Sequence, residues 1–584
     1  MTNTLHEQRQ VIQSLPSHLQ PFAAYQDYSA YTARDQAVWR FLLHQLKTNL
    51  SQSAHPTYLE GLEKTGISID EIPRIEHINS CLNKLGWQAV VVDGFLPPAV
   101  FMEFQALKVL VIAVNIRSFE HMLYTPAPDI VHESAGHAPF IIDIDYSEFL
   151  QRFGELGMQA IANKADMDVY EAIRNLSILK ETMSSTIDEI ATAESELTKA
   201  TESNTSASES ALLARLHWWT VEYGLVGYIN DYHIFGAGLL SSLGESQHCL
   251  NNNIVAKKSL TVDAINTSYD ITAEQPQLFI TESCRHLSQI LEEYARQMCC
   301  STGGVESIEK VIDAATINTA RTNSGIQISG KFSKLIKDAV GNIVYLNTDG
   351  PTQLSYQGSQ LIGHGIEFHS QGFGSPVGKL IGIERCLSNY TVDELKRHNI
   401  ELNNSLELNF LSGVTVKGVL KKLIRRDQKN ILMTLEDCTV TDINREILFD
   451  PSWGVYDMAI GDSIVSVFGG SADQQHYPLY KAPSSHATET QVYDKATQSQ
   501  FDLYQRIRLQ RQELDHEDSC SLISEINDVN DADWLLLFEA IELTKLTNID
   551  QHIIKSLTTQ LMSCHSSGND EVKTLIDYGL ARIA

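Results

Sequence analysis

Apolar positions in the first three hundred residues recur mainly at helical spacing. Thr32-x-x-Asp35 has the form of a capping box, and Val38, Phe41, Leu42 and Leu46 follow on one helix face. Phe101 to Ile116 is apolar with helix-compatible spacing. Leu216 to Gly227 is apolar on nearly every side, which predicts a buried helix with Glu222 as its only acid. Leu287, Ile290, Leu291 and Tyr294 repeat the amphipathic pattern. Between Asp166 and Ala214 the pattern gives way to polar residues. Part of that stretch reads as a solvated helix, and its Ser/Thr-rich part, Glu194 to Ser210, as a mobile insertion.

Near residue 310 the texture changes. Glycines and β-branched residues rise, in short runs such as Gly325–Ile328 and Asn342–Leu346, with turn signals at Asp349-Gly350 and Gly372-Phe373-Gly374. Gly330 to Lys337 resembles Gly418 to Arg425, and the match continues at the same offset through Asn342-Ile343-Val344 and Asn430-Ile431-Leu432. That pattern predicts two copies of one β-meander. A polar linker around Pro483–Thr488 leads to a helical tail with Phe501, Tyr504, Ile507, Leu514 and the apolar run Trp534–Phe538. The expected fold class is therefore α+β and multidomain. It comprises a mainly helical unit over 1–305 with a polar insertion at about 166–214, a β-rich module over 310–480 and a helical region over 490–584.

Composition narrows the function classes. The 584 residues are 43% hydrophobic, normal for a globular protein, and carry a net charge of −29. That charge disfavours nucleic acid and anionic membrane as partners, since both attract basic patches. The nine cysteines are scattered and form no Cys-x-x-Cys, which fits free thiols in a reducing compartment. The N-terminus shows no signal-peptide pattern, and no run of about 18 apolar residues predicts a membrane span, so the expected location is cytoplasmic.

The densest chemistry lies in Pro128-Asp129-Ile130-Val131-His132-Glu133-Ser134-Ala135-Gly136-His137-Ala138-Pro139. Two imidazoles this close point to a metal. Their spacing of five is not that of the zinc-protease helix, whose histidines lie four apart. On an ideal helix, residues five apart diverge by about 140°. The rings therefore converge only if His132 lies at an irregular helix start. Glu222 is the best third ligand, because a lone buried carboxylate is costly unless paired or bound to a cation. Two histidines and one carboxylate suit a non-haem ferrous oxygenase, and also a zinc hydrolase with Glu133 as base.

A resemblance separates these readings. Tyr124 to Pro139 resembles the signature of the pterin-dependent aromatic amino acid hydroxylases, typified by phenylalanine 4-monooxygenases. Trp219 to Leu225 and Phe235 to Glu245 resemble two further family motifs, and Val38-Trp39-Arg40 and Pro56–Leu62 resemble its catalytic-domain entry. The likeness covers about residues 20–300. It implies that His132, His137 and Glu222 hold iron and that Glu133 is the catalytic acid facing a tetrahydropterin. It also implies that Gly94, Leu96 and Phe101 belong to the pterin pocket. Arg117 and Thr125 would hold the substrate carboxylate, with Pro128, Trp218 and Tyr223 walling the aromatic ring and Ser241 adding a hydroxyl. The implied activity is ring hydroxylation of phenylalanine by dioxygen with ferrous iron and tetrahydrobiopterin or a relative, with tryptophan or tyrosine as alternative substrates.

The sequence also departs from that family. The N-terminal regulatory domain of its animal members is not expected here, and residues 310–584 replace their short tetramerisation helix. This half is compatible with homo-oligomer assembly, and a non-catalytic binding role remains an alternative for the whole chain. His364, Glu367 and His369 cluster within it and read as a solvated strand edge.

Overall fold

The computed structural model describes residues 2–123, 128–181, 185–204, 206–271, 273–482, 493–513, 516–547 and 551–583. Its first unit is built on the helix Ala33–Leu50. The capping box forms: Thr32 Oγ1 accepts from the Asp35 amide (3.1 Å) and the Asp35 carboxylate accepts from the Thr32 amide (2.8 Å). Val38, Phe41, Leu42 and Leu46 are all buried. The apolar stretch from Phe101 to Ile116 is not one helix. A helix covers Pro98–Ala106, Lys108 turns the chain at φ 58°, and Val109–Ala113 pairs in parallel with Gln88–Val92. A strand buried on both faces is continuously apolar, so period alone does not separate it from a helix.

Leu216 to Gly227 is likewise divided. The helix Glu209–His217 widens into a π-helical turn, Trp218–Glu222, and Leu225–Tyr228 is a strand. That strand lies in a four-stranded sheet ordered Asp231–Ile234, Leu225–Tyr228, Gln277–Thr281, Ala256–Ser259. The polar stretch holds two helices packed on each other, Lys164–Glu181 and Ile187–Ser203. A Thr186/Glu189 capping box starts the second, so Glu194–Ser203 is helical where a mobile segment was expected. Tyr170 on the first donates to the Phe95 carbonyl (3.3 Å), which fixes the pair beside residues 94–101.

The β-module consists of two sheets, each centred on a long hairpin. One hairpin joins Ile326–Lys337 to Ile343–Tyr356, and the other joins Thr415–Arg426 to Lys429–Thr441. The first hairpin shifts register between Ser329/Lys331, Phe332/Lys334 and Ile336/Lys337. The second shifts between Lys417/Val419, Leu420/Lys422 and Ile424/Arg425, so the bulges fall at equivalent places in the two similar segments. The turn readings at Asp349-Gly350 and Gly372–Gly374 are corrected. Both are strand residues paired with each other, and Gly372 is needed because a Cβ there would stand 2.2 Å from the Thr348 carbonyl oxygen. His364 and His369 are buried and Glu367 is exposed, so the three do not form a solvated strand edge.

The C-terminal helices Lys495–Glu513, His516–Asn527, Trp534–Thr547, Gln551–Ser567 and Asp570–Ile583 fold back on the first unit. Pro483–Thr488 and Leu514 lie outside the described residues. Trp534 and Phe538 meet Phe41 edge-on, each with ring centroids 5.2 Å apart, and Trp534 stacks on Phe119 at 5.7 Å. One apolar cluster runs from Trp39 and Phe41 through Phe140 and Trp219 to Trp534, Leu535 and Ile576. Beside it, Glu539 and Glu542 face Arg40, Arg511 and Arg582, all with side chains no more than 14% exposed. All nine cysteines are free. Among the described residues no helix is long and apolar enough to cross a membrane.

Candidate metal centre

Two π-helical turns build the site. Val131–His137 is one, and Trp218–Glu222 is the other. A π turn closes i→i+5 rather than i→i+4. It thereby brings together histidines that are five apart, which an ordinary helix would splay. The irregular helix start expected at His132 is this π turn, which begins at Val131 and places His137 one wide turn on. His137 Nε2 lies 3.2 Å from His132 Nε2, and the Glu222 carboxylate oxygens lie 3.3 Å from each. Gly136 between the histidines sits against Ala237, whose carbonyl oxygen would be 2.8 Å from an added Cβ.

Ser241 Oγ donates to the Ala237 carbonyl (2.8 Å) and stands 3.0 Å from His132 Nδ1, which orients the ring with Nε2 toward Glu222. Burial alone would raise the Glu222 carboxyl, but His137 and His132 outweigh it and hold the group well below the usual range. Glu133 behaves oppositely. Burial, opposed by His137 and assisted by Glu222 and Asp129, pushes it up to about 8. Its Oε2 lies 4.0 Å from His137 Nε2, and Glu133, His137, Phe101 and Trp87 line one small cavity.

Arg117 is buried, and its fork is held by Asp129. Nε and one terminal nitrogen each donate to that carboxylate at 2.9 Å, as does the Arg117 amide, and the His132 amide donates at 3.0 Å. The other terminal nitrogen donates to the carbonyls of Met122 (3.5 Å) and Ser241 (3.2 Å). Asp129 thus ties the arginine to the His132 turn. Burial would raise its carboxyl, and Arg117 holds it below the usual range.

Trp218 is sandwiched between Tyr223 (4.7 Å between ring centroids) and Tyr269 (4.3 Å), and the Tyr223 hydroxyl donates to Glu245 (3.0 Å). Phe101 meets His217 edge-on at 6.1 Å, and His217 Nδ1 lies 3.7 Å from Glu222. Leu96 and Phe101 pack on a separate apolar cluster with Val100 and Phe104. Gly94 is an exposed turn residue at φ 78°, Pro128 is exposed, and Thr125 lies outside the described residues. Sequence reasoning missed Asp129 as a partner of Arg117 and missed Tyr269, His217 and Glu245 altogether. No spacing signals them, because each meets its partner through the tertiary fold.

The family model described as biopterin-dependent aromatic amino acid hydroxylase matches residues 6–173 and 189–303. The phenylalanine-4-hydroxylase of Pseudomonas aeruginosa is 27% identical over 264 residues, covering 45% of this chain and 84% of its own. That of Chromobacterium violaceum is 27% identical over 268 residues, covering 46% and 75%. A crystal structure of the latter phenylalanine hydroxylase with iron(III) and 7,8-dihydrobiopterin bound is similar at a TM-score of 0.38 and 26% identity, over 47% of this chain and 86% of that one.

Proposed function

We propose that this chain, whose residues 6–173 and 189–303 match the biopterin-dependent aromatic amino acid hydroxylase model, is a non-haem iron, tetrahydropterin-dependent monooxygenase converting phenylalanine to tyrosine. The observation that carries the reading is the spacing of His132, His137 and Glu222. Donors about 2.1 Å from one centre stand about 3.0 Å apart at right angles and about 3.4 Å apart at tetrahedral angles. The separations here are 3.2, 3.3 and 3.3 Å. A carboxylate and two imidazoles oriented toward one point suit a ferrous ion.

Iron and tetrahydropterin, when bound, supply the activation of dioxygen that places one oxygen atom on the aromatic ring. The chain supplies position and a dry surround. His132, His137 and Glu222 would hold the iron. Phe101 and Glu133 line the cavity next to His137 and form the pterin side. Arg117 engages Asp129 and two carbonyls with most of its donors and keeps its fixed charge for an amino acid carboxylate. The Trp218, Tyr223 and Tyr269 stack is a rigid apolar wall for the substrate ring. The last helix steadies the carboxylate side, where the Leu123 amide donates to Glu571 (2.9 Å).

The test is oxygen uptake by the iron-loaded chain with tetrahydropterin and, separately, phenylalanine, tyrosine and tryptophan. Phenylalanine is expected to yield tyrosine, and Glu222→Ala is expected to abolish the reaction. Faster turnover of tryptophan or tyrosine would reassign the substrate. Silence with all three amino acids and iron bound would overturn the activity.

A further inference from the structure

The β-module gathers a second pair of histidines and a carboxylate, far from the catalytic unit in sequence. His364 and His369 lie on the loop between Ser359–Gln360 and Gly372–Pro376 of the first sheet. Asp457 lies on Tyr456–Ala459 of the second. Their relative exposures are 4%, 8% and 4%, so all three are more than nine-tenths buried. His364 Nδ1 stands 3.3 Å from His369 Nε2 and 3.5 Å from Asp457 Oδ2, and His369 Nε2 stands 3.9 Å from the same oxygen. The triangle is a few tenths of an ångström wider than the catalytic one and close to the tetrahedral edge of about 3.4 Å.

The carboxylate indicates that this triangle has an occupant. Asp457 Oδ1 accepts from Thr434 Oγ1 (2.6 Å), but Oδ2, aimed at the two rings, is buried without a hydrogen-bond partner. Two phenylalanines meet the His369 ring edge-on, the exposed Phe368 at 4.8 Å and the buried Phe373 at 5.4 Å between centroids. The nearest fixed positive charge, Lys422, is exposed. A carboxylate oxygen buried without a partner is costly. The two rings stand within hydrogen-bond distance of each other, neither comes closer to Oδ2 than 3.5 Å, and one cation among the three donors would satisfy that oxygen.

We propose that His364, His369 and Asp457 bind one divalent transition cation of the zinc class, which staples the loop of the first sheet to the Tyr456–Ala459 strand of the second. Mixed imidazole and carboxylate donors select such ions over calcium or magnesium. Because the ligands come from two sheets, binding adds directly to the stability of their packing.

The catalytic triad takes metal as well, so the experiment separates the two sites. The full-length chain is stripped with chelator and titrated with Co²⁺ and with Zn²⁺. Metal per chain, the visible Co²⁺ bands and Tm are read. The parent is expected to take two equivalents. His132→Ala/Glu222→Ala, whose catalytic triad keeps one ligand, is expected to take one, with visible bands and a Tm raised by Zn²⁺. Adding Asp457→Asn to that variant is expected to remove the last equivalent and the Tm shift, and His369→Gln should do the same if Asp457→Asn misfolds. The measurement on His132→Ala/Glu222→Ala alone decides the matter, because its second site is intact. If that folded chain binds no Co²⁺ or Zn²⁺, the proposal is overturned whatever the catalytic site does.

Discussion

Gly236→Ala tests how tightly the fold holds Glu222 without touching a ligand. Gly236 sits at φ −67°, ψ 134°, an ordinary conformation for any residue, so the substitution adds no backbone strain. The new Cβ would stand 2.4 Å from the Glu222 carbonyl oxygen, 2.5 Å from the Gly224 nitrogen and 2.7 Å from the Glu222 carbonyl carbon. All three are backbone atoms, and no side-chain rotation relieves them. Ordinary contact begins at 3.4 Å, so the Glu222 backbone must retreat by about 1 Å. A displacement of about 1 Å at a reacting centre costs on the order of 100-fold in rate, and overpacking of this kind costs about 1–3 kcal/mol of stability. Gly244→Ala is the control. Its φ is −73° and the nearest atom to its Cβ is Glu274 Oε1 at 3.7 Å. Iron content, pterin-dependent turnover of phenylalanine and Tm are measured for both. Gly236→Ala is expected to lose about two orders of magnitude in turnover together with iron affinity, and Gly244→Ala to stay within about a factor of two. Parental turnover and iron content in Gly236→Ala would refute the idea that this glycine seats the ligand.

Two further outcomes follow from buried charge. Burial alone would raise the Glu542 carboxyl, but Arg40, Arg511 and Arg582 outweigh it and pull it down to about 2. Its folded value is thus below its unfolded one, so the stability it contributes is present above about pH 4.3 and is lost as pH falls toward 2. Glu542→Gln is expected to lower urea stability at pH 7 by about 3–5 kcal/mol and to flatten the acid limb of the stability profile. Equal slopes for parent and variant below pH 4 would count against it. Arg117→Lys exchanges a fork for a point charge and strips two side-chain bonds from Asp129. Steady-state kinetics are expected to show KM for phenylalanine raised at least about tenfold with a smaller fall in kcat, since a lost charge-assisted bond is worth about 1.5–3 kcal/mol. An unchanged KM removes Arg117 from the substrate site.

The catalytic chemistry was more legible in the sequence than the architecture around it. His132, His137 and Glu222 stand out by residue type and setting, but their five-residue spacing conflicts with a regular helix. Only the π turn reconciles the two, and no residue pattern in Val131–His137 announces it. The strand Val109–Ala113 hid inside an apolar run because double-sided burial erases the alternation that marks a strand. Gly350 and Gly372 read as turns, yet both lie in strands: Gly350 takes a left-handed φ of 70° within a strand, and Gly372 lets the Thr348 backbone come close. The capping box at Thr186/Glu189 was present in the sequence, but the polar composition around it pointed to disorder. His364 and His369 lacked a visible partner because Asp457 belongs to the other sheet, and Glu367, their neighbour in sequence, faces solvent.

The junction between Phe41 and the Trp534–Thr547 helix bears on how the chain is made. Arg40 and Glu539, which meet across it, are separated by 499 residues. During synthesis the N-terminal half leaves the ribosome long before its covering helices, with one greasy flank of Ala33–Leu50 bare until the residues from Trp534 onward have emerged. A fragment cut near residue 305 carries that flank permanently, so poor recovery of such a fragment reflects a missing lid on its core and says nothing about its competence for chemistry.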